Sequence, residues 1–261
     1  IDAVIAGQAN PNYTAYLISG NDVGGINVGF LVKGRILVVN VTQFGKTETF
    51  IDPATGNPAL LNDRPPLVLR AAMLRPDTGA PLPFTVIVNH LRSLSGVDDP
   101  ADGNRVRVKR RAQAEYLANL IQVRQKNNPN EIIISVGDYN AFQVNDGFVD
   151  SIGTIKGMPA PVDEVLLASS GLVNPVLTDL VDRLPLSERY SFTFDGNAQT
   201  LDHILLNRNA LLYLNRFQYA RSNADFPLKY YEDPNRPERI SDHDMPIAYF
   251  TLAAPSRWLS H

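Results

Sequence analysis

The stretch IIISVGDYN at residues 132–140 places a run of apolar residues directly before a polar cluster. A continuous apolar run of this length predicts a strand that is buried on both faces. The loops that follow such strands are where α/β proteins commonly carry catalytic groups. Asp138 and Asn140 are therefore candidate site residues, although a single Asp after a strand is more often a turn or cap residue.

Three further apolar runs border polar clusters, and each of these clusters contains a histidine. The motifs are VIVNHLRS at residues 86–93, TLDHILL at 200–206 and SDHDMPI at 241–247. The coincidence of these strand ends with residues 132–140 predicts one shared site. His203 keeps a structural alternative, because within a strand its side chain shares a face with Leu205.

Length and composition indicate an enzyme-sized domain. The chain has 261 residues, of which 44% are hydrophobic, so it can bury a large core. No linker, repeat or low-complexity run divides it, and we expect one domain over residues 1–261. No stretch approaches the roughly 20 apolar residues of a membrane span. Nothing in the sequence indicates an obligate protein partner.

Charge and cysteine content limit the kinds of binding and catalytic site that the chain can form. A formal net charge of -3 argues against binding nucleic acid through bulk positive charge, but bound cations could supply the missing charge. The sequence contains no cysteine, which excludes disulfides, thiolate zinc sites and cysteine nucleophiles.

The apolar runs predict many strands and few helices. The expected strands are Thr14–Ser19, Ile26–Val32, Ile36–Val41, Leu67–Leu74, Phe84–Asn89, Glu131–Val136, Tyr190–Phe194, Leu201–Leu206, Leu212–Tyr219 and Ile247–Leu252. The clearest helix lies between Asn104 and Lys126, and a shorter one is expected over Val162–Ser169. Residues 52–66 and 223–239 are expected to be loops. This pattern predicts an α/β fold with two packed sheets and helices outside them.

The four motifs resemble, in order and strand context, those of the endonuclease/exonuclease/phosphatase superfamily. This family includes pancreatic-type deoxyribonucleases, abasic-site endonucleases, bacterial sphingomyelinases and inositol polyphosphate 5-phosphatases. Three further segments, DGFVD at 146–150, FDGNAQ at 194–199 and NADFP at 223–227, resemble its large secreted bacterial branch. The resemblance begins at about Gly24. It implies a four-layer sandwich of two mostly antiparallel sheets flanked by helices, and a secreted or extracytoplasmic protein.

The resemblance also implies a metal-dependent phosphodiester hydrolase. Its catalytic set would be His90, Asp138, Asn140, Asp202 and His243. In that set, His90 acts on the scissile phosphate as an acid or electrostatic stabiliser, with Asp202 nearby. Asp138 positions the attacking water with Asn140.

The implied metal ligands are Asp242, Asp138, Asn140 and His243. Asp242 and His243 would orient the water or hold the metal, and Asp242 is a candidate hydrogen-bond partner that fixes a histidine tautomer. Hard oxygen ligands suit Mg²⁺ or Mn²⁺, with Ca²⁺ as an alternative.

Three arginines are candidate contacts to the substrate phosphate. Arg107 and Arg111 belong to the basic run RVRVKRR at residues 105–111, although a basic helix start is usually a solvated face. Arg64 resembles a family position near the phosphate, although a loop arginine is usually just solvated. The expected substrate is a phosphodiester, first of all DNA. The alternatives are a phosphatase, a phospholipid phosphodiesterase, and a noncatalytic relative that binds a phosphorylated ligand or a partner.

The chain departs from the family pattern in its N-terminal region. Family members begin with a strand carrying an Asn, followed by a second strand and a Gln-Glu pair whose Glu binds the principal metal. Here Ile1–Gly7 leads towards residues 21–26, which resemble the segment after that Glu, and Glu48 lies in an unrelated polar stretch. We expect either an N-terminal truncation, with Ile1 a cut end, or a depleted metal site. The truncation predicts weak Mg²⁺ binding by this chain.

Overall fold

The computed structural model describes residues 12–252. Its strands are β1 Tyr13–Leu17, β2 Gly29–Lys33, β3 Ile36–Gln43, β4 Thr49–Ile51, β5 Pro58–Leu60, β6 Leu67–Leu74, β7 Pro81–His90, β8 Ile133–Asp138, β9 Thr178–Asp179, β10 Phe192–Phe194, β11 Asn197–Gln199, β12 Asp202–Leu206, β13 Leu214–Tyr219 and β14 Pro246–Phe250. Its α-helices are α1 Gly103–Asn127, α2 Ser151–Lys156 and α3 Arg208–Leu211. Short 3₁₀ helices span Leu180–Arg183, Leu186–Glu188 and Leu228–Tyr230.

A six-stranded sheet in the order β3-β6-β7-β8-β12-β9 forms the centre of the fold. Strands β7 and β8 are parallel, with α1 in the connection between them, whereas the other neighbours are antiparallel. Because β7 and β8 run in the same direction, their carboxyl ends lie side by side. Strand β12 starts where β8 ends. Three of the sequence motifs therefore meet at one end of the sheet, where β7 and β8 end and β12 begins.

One face of this sheet is covered by α1 and α2. Leu117 and Ile121 of α1 are fully buried and belong to one core cluster with Ile87, Ile133 and Leu205 of the strands. Burying each side chain of this size contributes about 1.5–3 kcal/mol. The helix ends at Asn127, directly before Asn128-Pro129, because a proline shortly after a helix stops it from continuing.

The opposite face is covered by two separate two-stranded sheets. The β1–β2 pair contributes Val32 to a cluster with Leu69, and the β13–β14 pair packs Phe217 and Phe250 near Leu206. Beside β14 lies an apolar cavity of about 360 Å³. It is lined by Ile36, Met73, Leu82, Phe84, Val86, Ile132, Ile134, Val136, Ile204, Tyr213, Ala248, Phe250 and Leu252.

The α/β class, the expected strands and the long helix are confirmed, with shifts of a few residues at element ends. The helix expected over Val162–Ser169 is wrong, because this segment forms turns. Its backbone N–H groups at Leu166 and Leu167 donate to the carbonyls of Gly147 and Phe148, so a neighbouring loop takes the bonds that a helix would need. The loop expected at residues 52–66 contains β5, which pairs with β4.

No helix within residues 12–252 combines the length and apolar character needed to cross a membrane.

Candidate active site

Strand register builds the first part of the site. His90 of β7 lies opposite Asp138 of β8, and Asp138 lies opposite Asp202 of β12. The Nε2 atom of His90 is 3.4 Å from Oδ2 of Asp138. Close approach of the strands is possible because residue 137 is glycine: a Cβ atom there would lie 2.0 Å from the carbonyl oxygen of Asn89, and its φ is +137°. The row His90, Asp138, Asp202 thus depends on Gly137.

His243 joins this row from a distant loop. Its Nδ1 donates to Oδ2 of Asp202 at 2.6 Å, and the same oxygen accepts from Ser191 Oγ at 2.7 Å. The Nδ2 of Asn223 donates to the His243 carbonyl at 2.7 Å, and the Phe192 ring lies 4.6 Å from the imidazole. With Nδ1 held by Asp202, Nε2 is the ring atom that can exchange a proton with a ligand.

The polar residues around His243 divide into different roles. Asp202, not Asp242, is the carboxylate that fixes the tautomer of His243, which corrects the sequence interpretation. Asp242 is exposed. Asp244 is fully buried and accepts from the backbone N–H of Asn223 at 2.8 Å, so it anchors the loop that carries His243.

The loop after β8 is held by side chains of its own and of α1. Asn140 has φ +47°, and its N–H donates to Asp138 Oδ1 at 2.7 Å. This is the Asx turn that the sequence offered as an alternative. In addition, Nδ2 of Asn140 donates to the Leu91 carbonyl at 3.0 Å and to Asp138 Oδ2 at 3.2 Å. Buried Arg110 donates to the Asn140 carbonyl at 2.7 Å, so the loop is fixed on both sides.

His203 lies in the core behind the site. It is fully buried, with Nδ1 2.7 Å from Asp179 Oδ2 and Nε2 2.8 Å from the Ala141 carbonyl oxygen. Because a carbonyl oxygen only accepts, Nε2 carries a proton. His203 therefore has the buried, fully hydrogen-bonded surroundings that a structural role requires. Its contact with Ala141 links the core to the loop that carries Asn140.

Of the three candidate arginines, only Arg64 contacts a residue of the row. Its Nε donates to the His90 carbonyl at 3.2 Å and its Nη2 to the Leu91 carbonyl at 2.8 Å, and its side chain is 11% exposed. Arg107 donates to the Val97 carbonyl at 2.7 Å, and Arg111 pairs with Glu115 at 2.9 Å. Neither Val97 nor Glu115 belongs to the row.

The local environment pushes the pKa values of the two histidines apart. Burial, together with the positive charges of Arg64 and His243, lowers the pKa of His90 to about 4. Burial also opposes the charge on His243, but the hydrogen bond and charge of Asp202 outweigh it and raise its pKa to about 8. At pH 7 the site therefore holds a neutral His90 and a protonated His243, as an acid and base pair would require.

Two neighbouring carboxylates make the site suitable for a cation. Burial and the negative charge of Asp202 raise the pKa of Asp138 to about 6. Ligand atoms of Asp138, Asp202 and His243 all lie within 4.8 Å of one another. A divalent cation would relieve the repulsion between the carboxylates, so the donor set fits a hard metal ion. Among residues 12–252, Asp242 is not part of this group; its charge only helps to raise the pKa of His243.

Comparison with known proteins identifies the fold. No model of a known protein family matches the sequence, and no curated protein shows significant similarity to it. Among solved structures, a mannosyl-6-phosphatase from Bacteroides thetaiotaomicron VPI-5482 matches with a TM-score of 0.51 and 15% identity over 92% of this chain and 78% of that one. An endonuclease/exonuclease/phosphatase family protein from the same species matches with a TM-score of 0.50 and 18% identity, over 90% of this chain and 72% of that one. This chain has the endonuclease/exonuclease/phosphatase fold.

A third match agrees with this fold. Truncated TDP2 from Caenorhabditis elegans has a TM-score of 0.51 and 14% identity, over 92% of this chain and 76% of that one. The fold expected from the four motifs is confirmed. At these identities the likeness concerns the fold, and the chemistry has to be argued from the side chains.

Proposed function

We propose that this chain is a divalent-metal-dependent phosphodiester hydrolase. The proposal rests on one observation, the Asp202–His243 pair beside the Asp138–His90 pair at the meeting point of three sheet strands. A turn or cap would need neither a half-buried acid next to a second acid nor two histidines with opposite pKa shifts. In this proposal, activity depends on all four side chains together.

His243 and His90 supply the proton chemistry. His243 is protonated at neutral pH, and its Nε2 can donate to a phosphate oxygen or to the leaving oxygen. Asp202 keeps that proton donor oriented. His90 stays neutral because it is buried near Arg64, so it can hydrogen-bond the phosphate or accept a proton.

Asp138 and Asn140 provide the hydrogen-bond acceptors that can position an attacking water. The Asp138 carboxylate, held by the Asn140 N–H and Nδ2, can accept a hydrogen bond from an attacking water. Asn140 uses Nδ2 on Leu91 and Asp138, so its Oδ1 is the atom left for a cation or water. A fixed acceptor of this kind lowers the cost of orienting the nucleophile.

The carboxylates of Asp138 and Asp202 would hold the cation, with Asn140 Oδ1 as a further ligand. A bound Mg²⁺, Mn²⁺ or Ca²⁺ would neutralise negative charge on the phosphoryl oxygens. Arg64 adds a fixed positive charge next to His90. The net charge of the chain is -3, but the cation and Arg64 would together make the site itself attractive to an anionic substrate.

The proposed substrate is a phosphodiester of DNA, acted on by a secreted or extracytoplasmic bacterial protein. The solved structures that this chain resembles include a mannosyl-6-phosphatase and an endonuclease/exonuclease/phosphatase family protein. This likeness supports a phosphate ester in general as the substrate class. Phosphatase activity and phospholipid phosphodiesterase activity are therefore the alternative activities within this proposal.

A substrate panel tests the proposal. Plasmid DNA, RNA, sphingomyelin and inositol phosphates would each be incubated with Mg²⁺, Mn²⁺ or chelator, using the wild type, His243→Gln and the control Arg111→Gln. We expect cation-dependent hydrolysis that His243→Gln abolishes and the control retains. Saturable binding of a phosphate ester without hydrolysis would favour the noncatalytic alternative instead.

A further inference from the structure

Two phenylalanine rings extend from the catalytic imidazole into solvent. The Phe192 ring lies 4.6 Å from His243, with a tilt of 34°. The Phe194 ring is stacked on Phe192 at 6.3 Å, with an angle of 17° between the planes. Phe194 is 62% exposed. The outermost ring therefore offers a flat apolar surface near the candidate active site.

The hairpin geometry fixes this arrangement. Strands β10 and β11 are joined by Asp195 and Gly196, which have φ values of +48° and +77°, as a tight two-residue hairpin turn requires. Phe192 and Phe194 are two positions apart, so their side chains lie on the same face. An isolated bridge pairs Phe192 with His243. The aromatic face of the hairpin is therefore the face next to the catalytic imidazole.

A single exposed phenylalanine is ordinary in a folded protein. Here the exposed ring is stacked on a second ring, and that ring contacts the side chain proposed to donate a proton. Such ring-on-ring geometry extends naturally to a further planar group, because offset stacking is a favoured arrangement of aromatic pairs.

We propose that Phe194 and Phe192 form a stacking subsite for a planar π group of the phosphoester substrate, either a nucleobase or an aryl group. This inference rests on the proposed function, because it places the scissile phosphate at His243. The group would be the substituent next to the scissile bond, lying over Phe194 while the phosphate contacts Nε2 of His243. Phe194 would then act as a specificity residue.

The same hairpin disfavours a lipid chain as the occupant. Asp195 directly follows Phe194, and Asn197 pairs with Phe194 across the hairpin; both are exposed. Insertion of the tip into hydrocarbon would bury the Asp195 carboxylate, which is costly. A nucleobase or aryl group can stack on the ring while these polar residues stay in water.

Direct binding tests the subsite without relying on turnover. The probes are 2-aminopurine deoxyribonucleoside 5′-monophosphate, whose fluorescence is quenched by stacking, phenyl phosphate, and inorganic phosphate, each with Mg²⁺. The variants are Phe194→Leu, which keeps apolar bulk without a ring, and Phe194→Tyr, which keeps the ring. Val123→Ala, an exposed residue of α1, is the control.

We expect Phe194→Leu to weaken binding of the π-bearing probes about tenfold and to remove the quenching, while Phe194→Tyr and Val123→Ala behave as wild type. The nucleotide and phenyl arms show which π group is preferred. Equal binding of the nucleotide by Phe194→Leu, an equal loss for inorganic phosphate, or no binding of either π probe by the wild type would overturn the subsite. So would binding to phosphatidylcholine vesicles that depends on Phe194 without nucleotide quenching. If quenching is found without any hydrolysis of the substrate panel, the proposed function fails and the subsite stands.

Discussion

The Nδ1 atom of His243 donates to Oδ2 of Asp202 across 41 residues of sequence at 2.6 Å. Asp202 in turn lies opposite Asp138 in the sheet. A loop histidine is thereby joined to the strand edge that carries the other candidate catalytic groups. Because Asp202 contacts both elements electrostatically, changes at this one carboxylate should affect the protonation state of the whole site.

Asp202→Asn should lower the pKa of His243 from about 8, because burial of the imidazole remains while the stabilising anion is removed. Titration of the histidine ring signals by NMR in cation-free buffer measures this. The His90 signal should titrate near a pKa of about 4 in the wild type. Asp225→Asn, which removes the partner of Tyr190, is the control. An unchanged pKa of His243 in Asp202→Asn would show that Asp202 does not stabilise its charge.

The same pair should make stability depend on pH. The pKa of folded His243 is raised above its ordinary 6.5, so its contribution is complete below pH 6.5 and is lost as pH rises through about 8. The shift corresponds to roughly 2 kcal/mol at most. Denaturant unfolding without cation should therefore show a larger difference between wild type and Asp202→Asn at pH 6 than at pH 9. A difference that is constant across this range would contradict the proposed linkage.

Divalent cation binding should depend on Asp138 more than on Asp242. Asp138 belongs to the group of converging ligand atoms, whereas Asp242 is exposed and outside it. Asp138→Asn should weaken Mn²⁺ binding by about tenfold or more, because Mn²⁺ favours anionic oxygen ligands, and Asp242→Asn should change it little. Isothermal titration of Mn²⁺ into both variants gives the comparison. Equal losses would place Asp242 among the ligands after all.

Gly137→Ala should destabilise the fold by roughly 3 kcal/mol or more, through steric overlap and an unfavourable φ. The added Cβ would lie 2.0 Å from the Asn89 carbonyl oxygen. Gly34→Ala is a matched control, because a Cβ at Gly34 meets no atom within 4 Å. Denaturant unfolding of both variants measures the difference. Similar stabilities would mean that β7 and β8 can separate without cost.

Asp179→Asn should also be strongly destabilising, because it removes the charge that faces fully buried His203. Breaking a buried pair from one side typically costs about 3–5 kcal/mol. Asp182→Asn provides the contrast, since its side chain is 44% exposed and its ion pairs lie at the surface. Thermal unfolding should separate the two variants clearly, and equal melting temperatures would rule out a stabilising buried pair.

Apolar periodicity predicted much of the fold and part of the site. Strand β6 matches its expected range, and α1 lies within one residue of its expected bounds at each end. The sequence predicted that His90, Asp138 and Asp202 meet, because each of these residues lies where an apolar strand begins or ends. These features depend on local patterns, which a single sequence contains.

Features that depend on tertiary contacts were not predicted. The sequence places Asp242 next to His243, but the loop anchored by Asp244 brings the His243 imidazole to Asp202 of β12 instead. The basic run drew attention to Arg107 and Arg111, whereas Arg110 supports the site loop. A signal for Arg110 existed, because it lies four positions before Ala114 on the buried stripe of α1.

The most direct test of the catalytic proposal is cation-dependent hydrolysis of bis(p-nitrophenyl) phosphate by wild type, His90→Gln, Asp138→Asn and His243→Gln, with Arg111→Gln as the control. The four side chains should act as a unit, so each site variant should lose at least about 100-fold in kcat/KM while retaining the wild-type fold by circular dichroism. Turnover that chelator abolishes and the control retains is the predicted result. No turnover by the wild type with Mg²⁺, Mn²⁺ or Ca²⁺, or wild-type turnover by His243→Gln, would contradict the account.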